Sequence, residues 1–398
     1  MITSLAGQFF SGDFVNYNVF LNGIYDSRNQ TLQTGNVNAG GIGVGGGVAL
    51  SKNFERSTIS LNYRGEYRYY ASGFEGSGTN QYLSLLYSYR FSPRWSLSFD
   101  ATGGIIFYDS PYYNSVPGGG VVTNPFSRET RFLQAGTFVT YQQTRRLSYV
   151  LGGNFIMNRY SFQGAIGSTG GILSASVVYK LTARTTVGGT FSHNNFYYQN
   201  DVGTSLIDGG YVNVKHIFGR GWEAYVSGGA TRVHSQGVIR QPVEVVIPNG
   251  QTIIGYVVGP YDTIKFVPTV EGGLRHNFRR LSVGASAGHG VNPGNGTYLT
   301  SSHTFFGGSV SHPLGRQAVI SGNVNYARLN SIASTISRQY SQNFINAGYS
   351  RVLMPHLSAH VTYTYSRYGN FFSYNGVVDN RLTFGIAYSS KSIPFTLF

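Results

Sequence analysis

The chain has 398 residues; only 11% are charged, 15% are aromatic, 54 are glycine and none is cysteine. This excludes a disordered chain, which is poor in aromatics and rich in charge, a collagen, which needs glycine at every third position, and any disulfide or cysteine–zinc scaffold. The formal charge is +14, from 29 basic and 15 acidic residues, but the basic residues are dispersed, which argues against a nucleic-acid partner.

No run of about 18 apolar residues exists, so a transmembrane helix is not expected. The nearest stretch, Ala39–Leu50, is short and half glycine. Met1–Phe10 lacks the basic start and long apolar centre of a secretory leader.

The recurring pattern is strict alternation of apolar and polar residues, the mark of a strand with two unlike faces. In Ser57–Tyr70, Ile59, Leu61, Tyr63, Tyr67 and Tyr69 share one face, and Ser60, Asn62, Arg64, Glu66 and Arg68 share the other. Tyr82–Phe91, Trp95–Tyr108, His356–Tyr365 and Asn380–Ser389 repeat it. About eighteen such segments are expected, starting near Asp13, Gly40, Ser57, Tyr82, Trp95, Thr130, Leu147, Gly171, Thr185, Gly209, Trp222, Pro268, Leu281, His303, Gln317, Ser341, His356 and Asn380. Each is close to the ~9–11 residues that cross a bilayer at a tilt. The phase of Thr130–Gln142 and of Gly209–Ile217 is ambiguous.

The links alternate as well. After even-numbered segments they are short, as in Ser92–Arg94, Thr182–Arg184 and Arg279–Arg280. After odd-numbered ones they are usually longer, and Asp109–Ser127 and His234–Lys265 are the longest. Short turns on one rim and long loops on the other define an up-and-down membrane barrel, and an even strand number puts both termini on the short-turn side. A soluble sandwich or propeller also has many short strands, but 11% charge is too little to cover its surface. The expected fold is therefore all-β, a transmembrane antiparallel up-and-down β-barrel of about eighteen strands. It has short periplasmic turns, longer extracellular loops, an apolar face toward lipid and a polar face toward a wet lumen. The barrel is expected over residues 13–389, with an N-terminal periplasmic segment at 1–12 and a tail or strand end at 390–398. Aromatics such as Tyr89, Trp95, Tyr141, Tyr149, Tyr179, Trp222 and Tyr388 sit near segment ends, where their rings suit the headgroup level.

With this pattern over essentially its whole length, the chain resembles the porin-like outer-membrane β-barrel proteins of Gram-negative bacteria. The resemblance is architectural. It implies an outer-membrane location, contact with outer-membrane lipid, and insertion by the barrel-assembly machinery, helped by a terminal aromatic. Phe398 fits that signal, whereas Lys391 and Pro394 interrupt the alternation before it, so Leu382–Tyr388 reads as the closing strand. Such proteins are often trimers, which leaves room for a homo-oligomer.

Motifs of chemistry are weak. Gly41–Gly46 matches GxGxxG but is followed by another strand, where a nucleotide site requires a helix. Its glycines, Gly41, Gly43, Gly45 and Gly47, instead bare one side of a strand, which leaves room for a loop or plug or widens the lumen. Gly284–Gly288 matches GxSxG around Ser286, but inside a strand rather than at a strand-to-helix elbow. No paired-histidine metal spacing occurs. No catalytic residue, metal or cofactor is expected.

By phase, Arg64, Glu66, Arg68, Arg90, Asp100, Lys215, Glu223, Glu271 and Arg275 face the lumen and are the pore-lining candidates. They either set ion preference at a constriction or pair across strands and brace the wall. Much of the basic excess lies at the short turns, among them Lys52, Arg56, Arg94, Arg145, Arg146 and Arg184, suited to lipid phosphates. In Val243–Val258, Asn249-Gly250 between alternating runs signals a hairpin in or over the outer mouth. Asp109–Ser127 either folds into the pore or is a surface loop. Loop aromatics such as Tyr112, Tyr113, Phe371, Phe372 and Tyr374 suit a sugar-stacking vestibule or pack on one another. The leading expectation is a pore for passive diffusion of small polar solutes, with a mild preference for anions. The alternative is a plugged barrel that anchors an adhesin, lipid or partner protein. A barrel enzyme using Ser286 ranks last.

Overall fold

A computed structural model describes the chain except residues 1–13, 31–34, 72–76, 108–128, 162–165, 220, 247–251, 293–299, 333–338, 370–376 and 392–398. Eighteen strands follow in chain order. They are β1 Phe14–Gln30, β2 Gly35–Asn53, β3 Ser57–Tyr70, β4 Gly78–Arg90, β5 Trp95–Phe107, β6 Glu129–Gln142, β7 Leu147–Tyr160, β8 Ser168–Lys180 and β9 Thr185–Tyr198, then β10 Gly203–Phe218, β11 Trp222–Val246, β12 Thr252–Asn277, β13 Ser282–Asn292, β14 Ser301–Leu314, β15 Ala318–Ser331, β16 Gln339–Met354, β17 Leu357–Gly369 and β18 Val377–Ser389. Each pairs antiparallel with its sequence neighbours, and β1 pairs with β18, so the sheet closes. Closure satisfies the backbone polar groups that lipid cannot.

The expected strand number holds, and so does the closing strand. The starts differ mostly at the long-loop rim. β10 begins six residues earlier than the pattern suggested, and β12 begins at Thr252 rather than Pro268. The link His234–Lys265 is thus mostly sheet, with β11 and β12 paired out to Val246↔Thr252. Alternation against lipid ends at the band edge, but backbone pairing need not. The hairpin signalled by Asn249-Gly250 is present as these two strands. Its turn, the Asp109–Ser127 loop and the loop aromatics lie outside the described residues, as do most of the two terminal segments.

Which face points inward follows from contacts between strands that are not neighbours, since only the interior allows them. Asn22 of β1 reaches Glu66 of β3, and Tyr198 of β9 reaches Thr300 beside β14. The complementary face carries exposed apolar side chains: Val19, Leu21, Val44, Leu83, Leu151, Leu173, Val212, Val226, Val361 and Phe384. The apolar face is therefore outside. This settles both ambiguous phases. Phe132 and Phe138 of β6, and Ile207 of β10, are buried on the inner face, while Leu133 and Val212 point out.

Outward aromatics cluster at the short-turn rim. Trp95 lies 4.6 Å from Tyr141, and Tyr141 stacks on Tyr149 at 6.4 Å. Trp222 stacks on His276 at 4.4 Å, and Tyr17 meets Tyr388 across the closing seam at 6.5 Å. No helix among the described residues is long and apolar enough to cross a membrane; the strands are the crossing elements.

Candidate functional site: the inner wall of the barrel

The glycine strip of β2 organises the first charged wall. Gly41, Gly43, Gly45 and Gly47 face inward and pair with inward residues of β1 on one side and β3 on the other. A methyl group at Gly43 would stand 2.7 Å from Glu66 Oε1, and one at Gly45 would strike the Phe20 ring and the Gly65 carbonyl. The strip is therefore not left for a plug and does not widen the lumen at this wall. It is a floor over which side chains of β1 and β3 meet. Asn22 Nδ2 donates to Glu66 Oε1 at 3.1 Å across β2, and Arg68 Nη2 donates to Glu66 Oε2 at 2.9 Å. The Arg64 guanidinium lies 4.6 Å above the Phe20 ring, a cation–π geometry.

Three further charges join this wall across the closing seam. Arg381 Nε and Nη2 donate to Asp26 Oδ2 at 2.8 and 2.6 Å, and Arg381 Nη2 lies 3.7 Å from Asp379. All of these side chains except Arg64 are nearly sealed from solvent; the Asp26 side chain is 1% exposed and that of Arg381 is 3%. Asp26, Asp379 and Arg381 were missed as candidates. Their phase was readable, but pairing of the first strand with the last, 355 residues apart in sequence, was not.

The second charged wall is carried by β10–β12, nine strands round the ring from β1. Lys215 Nζ lies 2.6 Å from Glu223 Oε1, and Tyr225 Oη donates to Glu271 Oε1 at 3.1 Å. Arg275 pairs in register with Glu223 and is exposed. Of the remaining candidates, Asp100 stands on the inner face of β5 with Gly136 and Asn154 beside it. Arg90 is the last residue of β4, exposed at the short-turn rim rather than part-way up the wall. The structure thus gathers Arg64, Glu66 and Arg68 on one side, gathers Lys215, Glu223, Glu271 and Arg275 opposite, and leaves Asp100 and Arg90 apart.

Between the charges, the wall is lined by hydroxyls and amides. Ser176 bonds Thr190 at 3.0 Å, Asn213 Nδ2 donates to Thr190 at 3.1 Å, and Asn346 Nδ2 donates to Thr364 at 2.9 Å.

The long-loop end differs. Phe196, Tyr198, Ile207, Val233, Val267 and Ile332 form a buried apolar cluster inside the barrel. Tyr198 bonds the Thr300 hydroxyl at 2.8 Å, Ser205 bonds both Thr300 and Ser235, and Lys265 Nζ donates to the Ile332 carbonyl at 2.9 Å. Thr300 precedes β14 and Ile332 follows β15, so chain from that side of the mouth is tied to the inner face of β9–β12. None of this was expected from alternation, because inward apolar residues break it.

Ser286 lies mid-strand in β13, opposite Gly273 and Gly307. His289 Nδ1 bonds Thr304, on the outer face, and His303 stacks on Phe305 at 5.0 Å. No histidine bonds Ser286, and no group of three metal-ligating side chains occurs among the described residues.

The architecture is porin-like: an antiparallel barrel of this strand number has room for an aqueous channel. No protein-family model matches the chain, and no characterised protein matches it in sequence. Similar solved structures include the outer membrane protein opdK from Pseudomonas aeruginosa, at 12% identity over 95% of this chain and 100% of that one, with a TM-score of 0.46. OccAB4 from Acinetobacter baumannii is 10% identical over 96% and 99%, with a TM-score of 0.47. A BenF-like porin from Pseudomonas fluorescens Pf-5 is 12% identical over 94% and 99%, with a TM-score of 0.46.

Proposed function

We propose that this barrel spans a Gram-negative outer membrane and is a pore for diffusive passage of small polar solutes, with no chemical step. The observation that carries the reading is the inner wall: hydroxyls, amides and two charged walls nine strands apart, inside a sheet whose outer face is apolar. Such a wall offers polar contacts to a hydrated solute, and the apolar exterior belongs in lipid.

Selectivity is weak and tilts toward anions. Glu66, Asp26 and Asp379 are matched in number by Arg64, Arg68 and Arg381 on the same wall, and Lys215 by Glu223. Lys265 spends its ammonium group on a carbonyl, not a carboxylate, and Arg275 is exposed to the lumen. With Arg90 at the short-turn rim, these two cations outnumber Glu271 and Asp100 and supply the tilt. The short-turn rim is periplasmic and the rim with long loops extracellular, as the termini require in this architecture.

The plugged-anchor reading draws on the buried cluster around Phe196 and Val233, which narrows one side of the mouth. Single-channel recording of the purified barrel in a planar bilayer under a salt gradient decides between the two. Stable conductance steps, with a reversal potential on the anion side, are expected. A correctly folded barrel that inserts and never conducts would leave the anchor reading.

A further inference from the structure

The outer face carries a feature that the pore does not use. In the long-loop half of the strands, five arginines of the described residues point toward lipid: Arg131, Arg159, Arg232, Arg328 and Arg367 share their faces with Leu133, Phe155, Val226, Val324 and Val361. All stand at one height. Arg232, Arg328 and Arg367 each lie ten residues above the first residue of their strand, and Arg131 and Arg159 lie ten residues from Tyr141 and Tyr149. Ten residues at ~3.3 Å and a tilt of ~40° rise about 25 Å, the height of the apolar band of such barrels. The arginines therefore mark the band edge at the long-loop rim, as the Trp95–Tyr141–Tyr149 aromatics mark the other.

Two of the five face each other. Arg131 and Arg159 are direct cross-strand partners in β6 and β7. Like charges directly opposite destabilise a sheet unless something neutralises them. Arg131 Nε donates to Glu129 Oε1 at 2.6 Å, but among the described residues no carboxylate pairs with Arg159 or with Arg367. Arg232 shares Asp208 with His193, at 3.7 and 2.7 Å, and among the described residues the Arg328 guanidinium donates to the Gln339 amide oxygen rather than to a carboxylate. The trio Glu129, Arg131 and Arg159 keeps a net positive charge directly above the outward pair Leu133–Met157. A guanidinium pair over an apolar stripe fits an anion carried on acyl chains, and arginine forks match phosphate oxygens.

We propose that Arg131 and Arg159 form a binding site for the phosphate of a phosphorylated glycolipid in the outer leaflet, with Arg232, Arg328 and Arg367 continuing the girdle. This rests on the outer-membrane reading above. The phosphate bridges the two guanidinium groups and removes their repulsion, and the acyl chains lie along β6 and β7.

The test is native mass spectrometry of the full chain, folded in a non-ionic detergent and titrated with bisphosphorylated lipid A. Wild type is expected to carry the lipid as a discrete adduct. In R131A/R159A the bound fraction should fall at least tenfold, and lipid A without phosphates should bind wild type no better than that. R94A/R146A, at the opposite rim, should bind like wild type. Folding is checked by heat-modifiable gel mobility. R159E gives Arg131 a facing carboxylate, so it should fold at least as well and still lose the adduct. Undiminished binding by R131A/R159A or R159E, or equal binding of phosphate-free lipid A or phosphatidylglycerol, overturns the proposal. Conductance of the same preparation keeps the two readings apart. A barrel that conducts but takes no lipid A sinks only the girdle. One that takes it through these arginines and never conducts sinks only the pore.

Discussion

Gly45 and Arg381 show how single residues shape the inner wall. Gly45 has no side chain because the Phe20 ring occupies its place. Gly45→Ala should force that ring aside, loosen the Arg64 contact and destabilise the barrel by about 1–3 kcal/mol. Gly40, which has open space around it, serves as the control and should tolerate alanine. Arg381 lies buried between Asp26 and Asp379. Removing one partner of a buried pair leaves an uncompensated charge, so Arg381→Leu should cost about 3–5 kcal/mol, and D26N/R381Q less. Urea unfolding of the barrel in lipid vesicles measures both series. Equal losses in the single and double variants would show that the pair contributes only packing.

Among the elements, β11 and β12 stand out. They run 25 and 26 residues, well beyond the ~9–11 needed for a crossing. Their upper part is outside the apolar band, where His234 and Gln236 bond Asp262 at 2.8 Å each. Hydrogen bonds from Gln236 and His234 hold that carboxyl below its ordinary range. Its contribution is thus present at neutral pH and lost as the medium acidifies through the lowered value. Close to that pair, Lys265 of β12 anchors the mouth at Ile332, and Tyr198 of β9 and Ser205 of β10 hold Thr300. T300A/I332G removes two hydroxyl bonds and an apolar contact, so the tied chain should loosen. Larger or noisier single-channel steps are expected, with the fold retained; unchanged steps would mean that the tie lies beside the conduction path rather than over it.

For the whole molecule, the two charged walls act together through the field in the lumen. K265Q/R275Q should move the reversal potential toward cation selectivity, and E223Q/E271Q should move it further toward anions. Reversal potentials under a tenfold salt gradient read both, and shifts of the same sign would disprove the assignment of the tilt to these residues. Strand number, outward face and rim polarity were legible in the chain because lipid imposes a period of two on one face and turn chemistry separates the strands. The candidates Arg64, Glu66 and Arg68 fell together because they share one strand; opposing walls were not legible, since the chain does not display which strands end up across a ring. The girdle arginines escaped notice for a related reason. Each looks like a lone interruption of an apolar face until cross-strand register sets Arg131 against Arg159. The sequence by itself determined an eighteen-strand, two-faced sheet, because alternation is a local property of each segment. Only the tertiary structure decided the Asp26–Arg381 seam, the filled glycine floor and the tied mouth, because each depends on contacts made when the sheet closes on itself.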